Sequence, residues 1–174
     1  IPAEFLLKNN VVGNHGALLP YVQGAASLVW GRMLNSGEWG VSLMKLNEII
    51  DGGDILLTKK ISYDKDTTSM KEFVDICDNA TVDMVKKHFK KQYIVEKNKS
   101  WEVKIAKGAD SKKVIDVLRA CLKNNINVYL PPRTPKDSEI KTHWNGDFKS
   151  AFKFANDLPY PKFYNPGDKI NELY

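Results

Sequence analysis

Two ionisable side chains sit where glycine-bounded loops should expose them. His15 lies in the run NHGALLPYVQG (14–24), and Asp51 stands just before Gly52-Gly53 in IIDGGDILL (49–57). Loops at the ends of strands are where α/β sheets bind ligands, so a histidine and a carboxylate carried there on neighbouring strands can meet. Such a pair suits acyl transfer to an amine, one group polarising the carbonyl and the other accepting the proton of the amine. Each residue alone also has an ordinary reading. A single loop histidine is more often a turn or surface group, and an aspartate before Gly-Gly commonly forms an Asx turn. His88, within KKHFKK, and His143 carry no comparable context. No Cys/His spacing of a metal site occurs, and no metal is expected.

The elements that must position the pair can be read from the pattern of apolar residues. Pro2 to Lys8 has a helical composition with proline at its start. Val11-Val12 predicts a short strand stopping at Gly13, residues 14–24 a loop, and Ala25 to Leu34 a helix ended by Asn35-Ser36-Gly37. Val41 to Leu46 predicts a strand, and a Gly-Gly turn leads into a long strand from Ile55. Thr68 to Tyr93 reads as a helix capped by Thr68 or Ser69, with Glu72 completing the box; its apolar stripe is Phe73, Ile76, Cys77, Ala80, Met84, Val85 and Phe89. A strand is expected over Asn98 to Ala106, around Trp101, Val103 and Ile105, then a helix from Ser111 to Asn124 with Val114, Ile115, Val117, Leu118 and Leu122 inward. The three prolines of residues 128–140 exclude a regular element there and mark a linker. Phe148 to Leu158 reads as a short helix, and a turn at Asn165–Gly167 should lead into a terminal strand. Trp30, Trp39 and Trp101 are assigned to the core rather than to ligand stacking. Alternating strands and helices indicate an α/β fold.

Bulk properties narrow the partners. The chain has 174 residues, enough for one domain or one domain and the start of a second, and is 43% hydrophobic and 27% charged. Its 26 Lys and Arg against 21 Asp and Glu leave a net charge of +5, which suits anionic ligands such as nucleotide phosphates or a folate tail. Lysine dominates and no arginine-rich tract is present, which argues against nucleic acid. The two cysteines, Cys77 and Cys121, form no CxxC pair, as in proteins of a reducing compartment. No apolar run approaches the roughly 20 residues of a membrane helix and no signal peptide opens the chain; a cytoplasmic protein, with no membrane partner, is expected.

Two longer segments, VVGNHGALLPYVQGAASLVW (11–30) and WGVSLMKLNEIIDGGDILL (39–57), resemble the formyl transferase family, whose pattern is roughly N-x-H-x-S-L-L-P-x-x-x-G, a helix, then G-x-T/S-x-x-x-M-D-E-x-x-D-x-G-x-I-L. The shared anchors are His15, Leu18-Leu19-Pro20 and Gly24, then Gly40, Ser42, Glu48, Asp51, Gly53, Ile55 and Leu56. PPRTPKDSEIKTHW (131–144) and AFKFANDLPYPKFY (151–164) are similar to the linker and following helix of the sugar-modifying members, whereas residues 95–127 match poorly. The resemblance implies the second half of a Rossmann-like formyltransferase domain over residues 1–127, a linker over 128–147, and the start of a small C-terminal domain over 148–174. It further implies transfer of a formyl group from 10-formyltetrahydrofolate, as cosubstrate, to the amine of a nucleotide-linked amino sugar. The alternatives are a methionyl-tRNA formyltransferase or a catalytically impaired folate-binding module.

The roles that the resemblance implies are specific. His15 and Asp51 are catalytic, His15 stabilising the oxyanion and Asp51 holding it charged and helping to remove the amine proton. The family asparagine two positions before the histidine is here Gly13, so either Asn14 supplies the amide or His15 and Asp51 work alone. Leu46, Asn47, Glu48, Ile50 and Asp51 are expected at the cosubstrate, and Tyr21 and Gln23 at the sugar substrate. The family's N-terminal strands have no counterpart in these 174 residues. The isolated chain is therefore expected to present only part of a folate pocket, and to associate with a missing segment or a second copy, as in a homodimer.

Overall fold

The computed structural model describes residues 1–91 and 93–168. In chain order its elements are α1 (Ala3–Lys8), β1 (Val12–His15), β2 (Val22–Gly24), α2 (Ser27–Leu34), β3 (Glu38–Lys45), β4 (Ile55–Ser62), α3 (Met70–Phe89), β5 (Val103–Lys104), α4 (Ser111–Lys123), β6 (Val128–Leu130) and α5 (Gly146–Ala155), with a 3-10 turn at Pro135–Ser138. Strands β1, β3 and β4 form an antiparallel sheet in that order. Strands β2, β6 and β5 form a parallel one with β6 at its centre. The mixed α/β character expected from the alternation of patterns is thus present.

Helix α2 is the hub. From Val29 to Leu34 each residue is buried, and Trp30, Met33 and Leu34 join one apolar cluster with Phe73, Cys77 and Met84 of α3, Ile115 and Leu118 of α4, and Phe148 and Phe152 of α5. Each fully buried side chain of this size contributes about 1.5–3 kcal/mol. The buried Arg32 is satisfied by carbonyls rather than by a carboxylate. Its guanidinium donates to Thr68 O (2.7 and 3.1 Å), Lys65 O (3.1 Å) and Asn35 Oδ1 (2.7 Å), tying α2 to the turn that starts α3. At that start Ser69 and Glu72 form the capping box the sequence predicts.

Several expectations are corrected. Strand β1 does not stop at Gly13; it runs on to His15, pairing Gly13 with Met44 and His15 with Ser42. The glycine permits this, since a Cβ there would meet Leu46 Cδ2 at 2.6 Å. The loop 14–24 ends in a strand, β2, and the proline-rich run 128–140 opens with the central strand β6, because Val128–Leu130 precede its first proline and bury Val128 and Leu130. The strand expected over 98–106 shrinks to Val103–Lys104, and Trp101 is 41% exposed instead of core. Helix α3 ends at Phe89, which is 80% exposed and outside the stripe, and Val117 of α4 also faces solvent. The strand expected at the C-terminus falls on residues 169–174, outside the described residues. No helix among the described residues is long and apolar enough to cross a membrane.

Candidate active site

The two sheets meet at His15. It is the last residue of β1, and Val22, seven residues on, opens β2. The intervening turn is pinned to β3 by Ser42, whose hydroxyl donates to Ala17 O (2.7 Å) and accepts from Leu19 N (2.9 Å). It brings the Val22 carbonyl to 2.9 Å from His15 Nε2. A carbonyl can only accept, so Nε2 carries a hydrogen and the other ring nitrogen, Nδ1, is left for Asp51. That atom faces Asp51 Oδ1 at 3.4 Å, with side-chain exposures of 6% for His15 and 13% for Asp51.

Asp51 arrives from the β3–β4 connection in a left-handed conformation, φ 52°. Its second oxygen, Oδ2, accepts from Gly24 N at 2.8 Å. Gly24 is itself held at φ 100°, and a Cβ there would meet Leu130 O at 2.3 Å, so only glycine lets β2 close on β6 while offering its amide to the carboxylate. Two side-chain amides then converge on the Asp51 carbonyl: Asn98 Nδ2 at 2.8 Å and Gln23 Nε2 at 3.1 Å.

Burial pushes the His15 pKa below its usual 6.5, against the opposing pulls of the Asp51 charge and the Val22 carbonyl. Desolvation and the Asp51 charge thus pull the His15 proton in opposite directions, and desolvation is the larger pull. Chemically, this is a base whose conjugate acid has a carboxylate waiting beside it.

Asn14 is not part of this arrangement. Neighbouring residues of a strand face opposite sides of the sheet, and Asn14, paired with Leu43, lies with Val12, Thr81, His88 and Phe89 along a separate groove against α3. The residue in phase with His15 is Gly13, which has no amide side chain. Gln23, expected at the substrate, is 2% exposed and spends its amide on Asp51, Asn98 and Lys99. Tyr21 is 38% exposed, and its carbonyl accepts from Val128 N. Leu46, Asn47, Glu48, Ile50 and Asp51 do come together, lining an open groove of about 410 Å³ that α1 overhangs through Leu6. Asn47 shapes its wall by accepting from Ile49 N at 2.9 Å, while Ile50 stays 68% exposed.

Sequence reasoning missed Asn98 and the amide of Gly24. A glycine ending a motif is a fair sign of a backbone contact. Asn98 offers no local sign at all, since its partners are 45 and 47 residues away.

No family model matches the chain. Over 64 residues, 37% of its length, it is 38% identical to a methionyl-tRNA formyltransferase of Anaeromyxobacter dehalogenans (strain 2CP-C), of which that stretch is 20%. Its fold matches a methionyl-tRNA formyltransferase from Clostridium thermocellum with a TM-score of 0.70 at 18% identity, covering 97% of this chain and 63% of that one. A 4-N formyltransferase from Francisella tularensis aligns with a TM-score of 0.66 at 16% identity over 94% of this chain and 60% of that one. HypX from Aquifex aeolicus, solved in complex with tetrahydrofolic acid, aligns with a TM-score of 0.64 at 14% identity over 92% of this chain and 24% of that one. The chain therefore spans under two thirds of each of these relatives.

Proposed function

We propose, from the chain's kinship with the formyltransferases in sequence and in fold, that it carries the reaction centre for moving a formyl group from 10-formyltetrahydrofolate to an amine, and that the amine belongs to a nucleotide-linked amino sugar. The observation that carries the reading is the buried His15–Asp51 pair, 3.4 Å apart, with Asp51 also lining the groove of Leu46–Ile50. That groove holds the folate ring. The amine attacks the formyl carbon, and its proton passes by way of the Asp51 carboxylate to His15 Nδ1, which that carboxylate faces. The imidazolium so formed is stabilised by Asp51 and lies beside the developing oxyanion. As the bond from the formyl carbon to the folate nitrogen breaks, the proton moves to that leaving nitrogen, and tetrahydrofolate and the formamide depart. No side-chain amide joins the pair from β1, so the pair itself supplies the charge stabilisation.

The sugar reading is supported by the resemblance of residues 131–144 and 151–164 to the sugar-modifying members, by the likeness in fold to a 4-N formyltransferase, and by a net charge of +5 that suits a diphosphate. Methionyl-tRNA is the second reading, favoured by the relatives matched in sequence. Incubating the protein with 10-formyltetrahydrofolate and either a panel of nucleotide-linked amino sugars or charged initiator tRNA, and detecting the formylated product by mass, separates the two. Formylation of an amino sugar is expected. Product on methionyl-tRNA alone overturns the sugar assignment, and no product on either overturns the enzyme.

A further inference from the structure

Asp51 is a non-glycine residue in the left-handed region, a conformation that persists only when its surroundings impose it. The segment 96–102 supplies those surroundings. It starts on the first sheet, where Glu96 and Ile55 exchange two backbone hydrogen bonds of 2.8 Å and Lys97 pairs with Asp54 at 2.8 Å. It ends on the second, where Asn127 donates to Ser100 O (3.1 Å) and accepts from Glu102 N (2.8 Å). Between these anchors Asn98 turns its amide under the Asp51 loop. Nδ2 donates to Asp51 O (2.8 Å) and Gly53 O (2.9 Å), while Oδ1 accepts from Lys99 N (2.9 Å). Gln23 completes the bracket, donating to Asp51 O (3.1 Å) and Lys99 O (3.0 Å).

We infer that Asn98, braced by Gln23, is a positioning residue: by gripping the Asp51 carbonyl from a strap that spans both sheets, it fixes the carboxylate against Nδ1 of His15. Neither amide touches the Nδ1 atom or the carboxylate, so both act through the backbone of Asp51. The geometry stands on its own; only the catalytic consequence rests on the formyl-transfer reading. The strap also makes residues 96–102, which carry none of the formyltransferase motif, part of the machinery of the site.

The test is a proton NMR titration of the three histidines, which needs no cosubstrate. Asp51→Asn should lower the His15 pKa further, because burial then acts without the opposing charge. Asn98→Ala should move it in the same direction, by displacing the carboxylate, and the double variant should titrate as Asp51→Asn alone. His88 and His143 should not respond. An unmoved His15 in Asn98→Ala, or additive shifts in the double variant, overturns the inference, as does an unmoved His15 in Asp51→Asn. If Asn98→Ala fails to fold, Gln23→Met, which removes the donations to Asp51, Asn98 and Lys99 at similar volume, decides by the same criterion. In turnover, kcat should fall about 10- to 100-fold with KM for the cosubstrate unchanged, the mark of misplaced reacting groups rather than lost binding. If the wild-type protein transfers no formyl group, the titration still decides the positioning role.

Discussion

His15 is buried beside Asp51, with burial and the carboxylate pulling its proton in opposite directions, and this has two consequences. Its pKa lies below 6.5 in the folded chain, so the unfolded chain binds a proton that the folded one refuses. The stability it contributes is fully present above 6.5 and is lost as pH falls through that value toward the lower folded one. Denaturant unfolding at a series of pH values should show this downward slope, and His15→Gln should flatten it; an unchanged slope would mean that the ring is not desolvated. The second consequence is catalytic. Asp51→Asn keeps the shape of the loop but not the charge that stabilises the imidazolium, and turnover should drop by about 10²–10⁴ with the melting temperature little changed. Asn14→Ala is the matched control. It removes an exposed amide from the opposite face of β1, and full turnover is expected; a large loss would place Asn14 at the reacting atoms after all.

Among the elements, α2 and the strands at each end of the His15 turn decide where the pair sits. Helix α2 packs on α3 through apolar side chains, and Arg32 adds the polar tie to its start, through carbonyls that nothing apolar could satisfy. Arg32→Met fills similar volume but leaves the Thr68 carbonyl buried and unpaired, a loss of about 3 kcal/mol; a shift in the urea midpoint measures it, and a change near zero would mean that water replaces the guanidinium. The amphipathic helices α3 and α4 were legible because their apolar residues recur every three or four positions and their caps are local. The strands β2 and β6 were not, and β1 was legible only at its first residue, Val12. Each is three or four residues long, and each is defined by a partner far along the chain: Lys45 to Ser42 for β1, Val128 to Leu130 for β2.

At the scale of the whole molecule, the groove beside Asp51 is rimmed by apolar side chains that the fold leaves in water, Ile49 at 66% and Ile50 at 68% exposed. Clustered exposed apolar residues mark a binding surface. Ile50→Asn should therefore leave thermal stability unchanged while weakening a folate analogue about tenfold, or 1.4 kcal/mol, by isothermal titration. Undiminished affinity would remove this groove from the cosubstrate site.

The two residues proposed to react could be picked out from the sequence itself. The order His15, Leu18-Leu19-Pro20, Gly24 and then Glu48, Asp51, Gly53 is a one-dimensional signal, and two turns at fixed spacing suffice to read it. What that order could not contain is phase and charge. Whether Gly13 or Asn14 shares the face of His15 depends on β1 continuing past the glycine, which is decided by its pairing with β3 and the room taken by Leu46. The resting charge of His15 depends on how much water the meeting of two sheets excludes. The hold on Asp51 depends on Asn98, brought from 47 residues away by a strap with no pattern of its own. Register, desolvation and long-range hydrogen bonds are properties of the packed chain, and only the tertiary structure decided them.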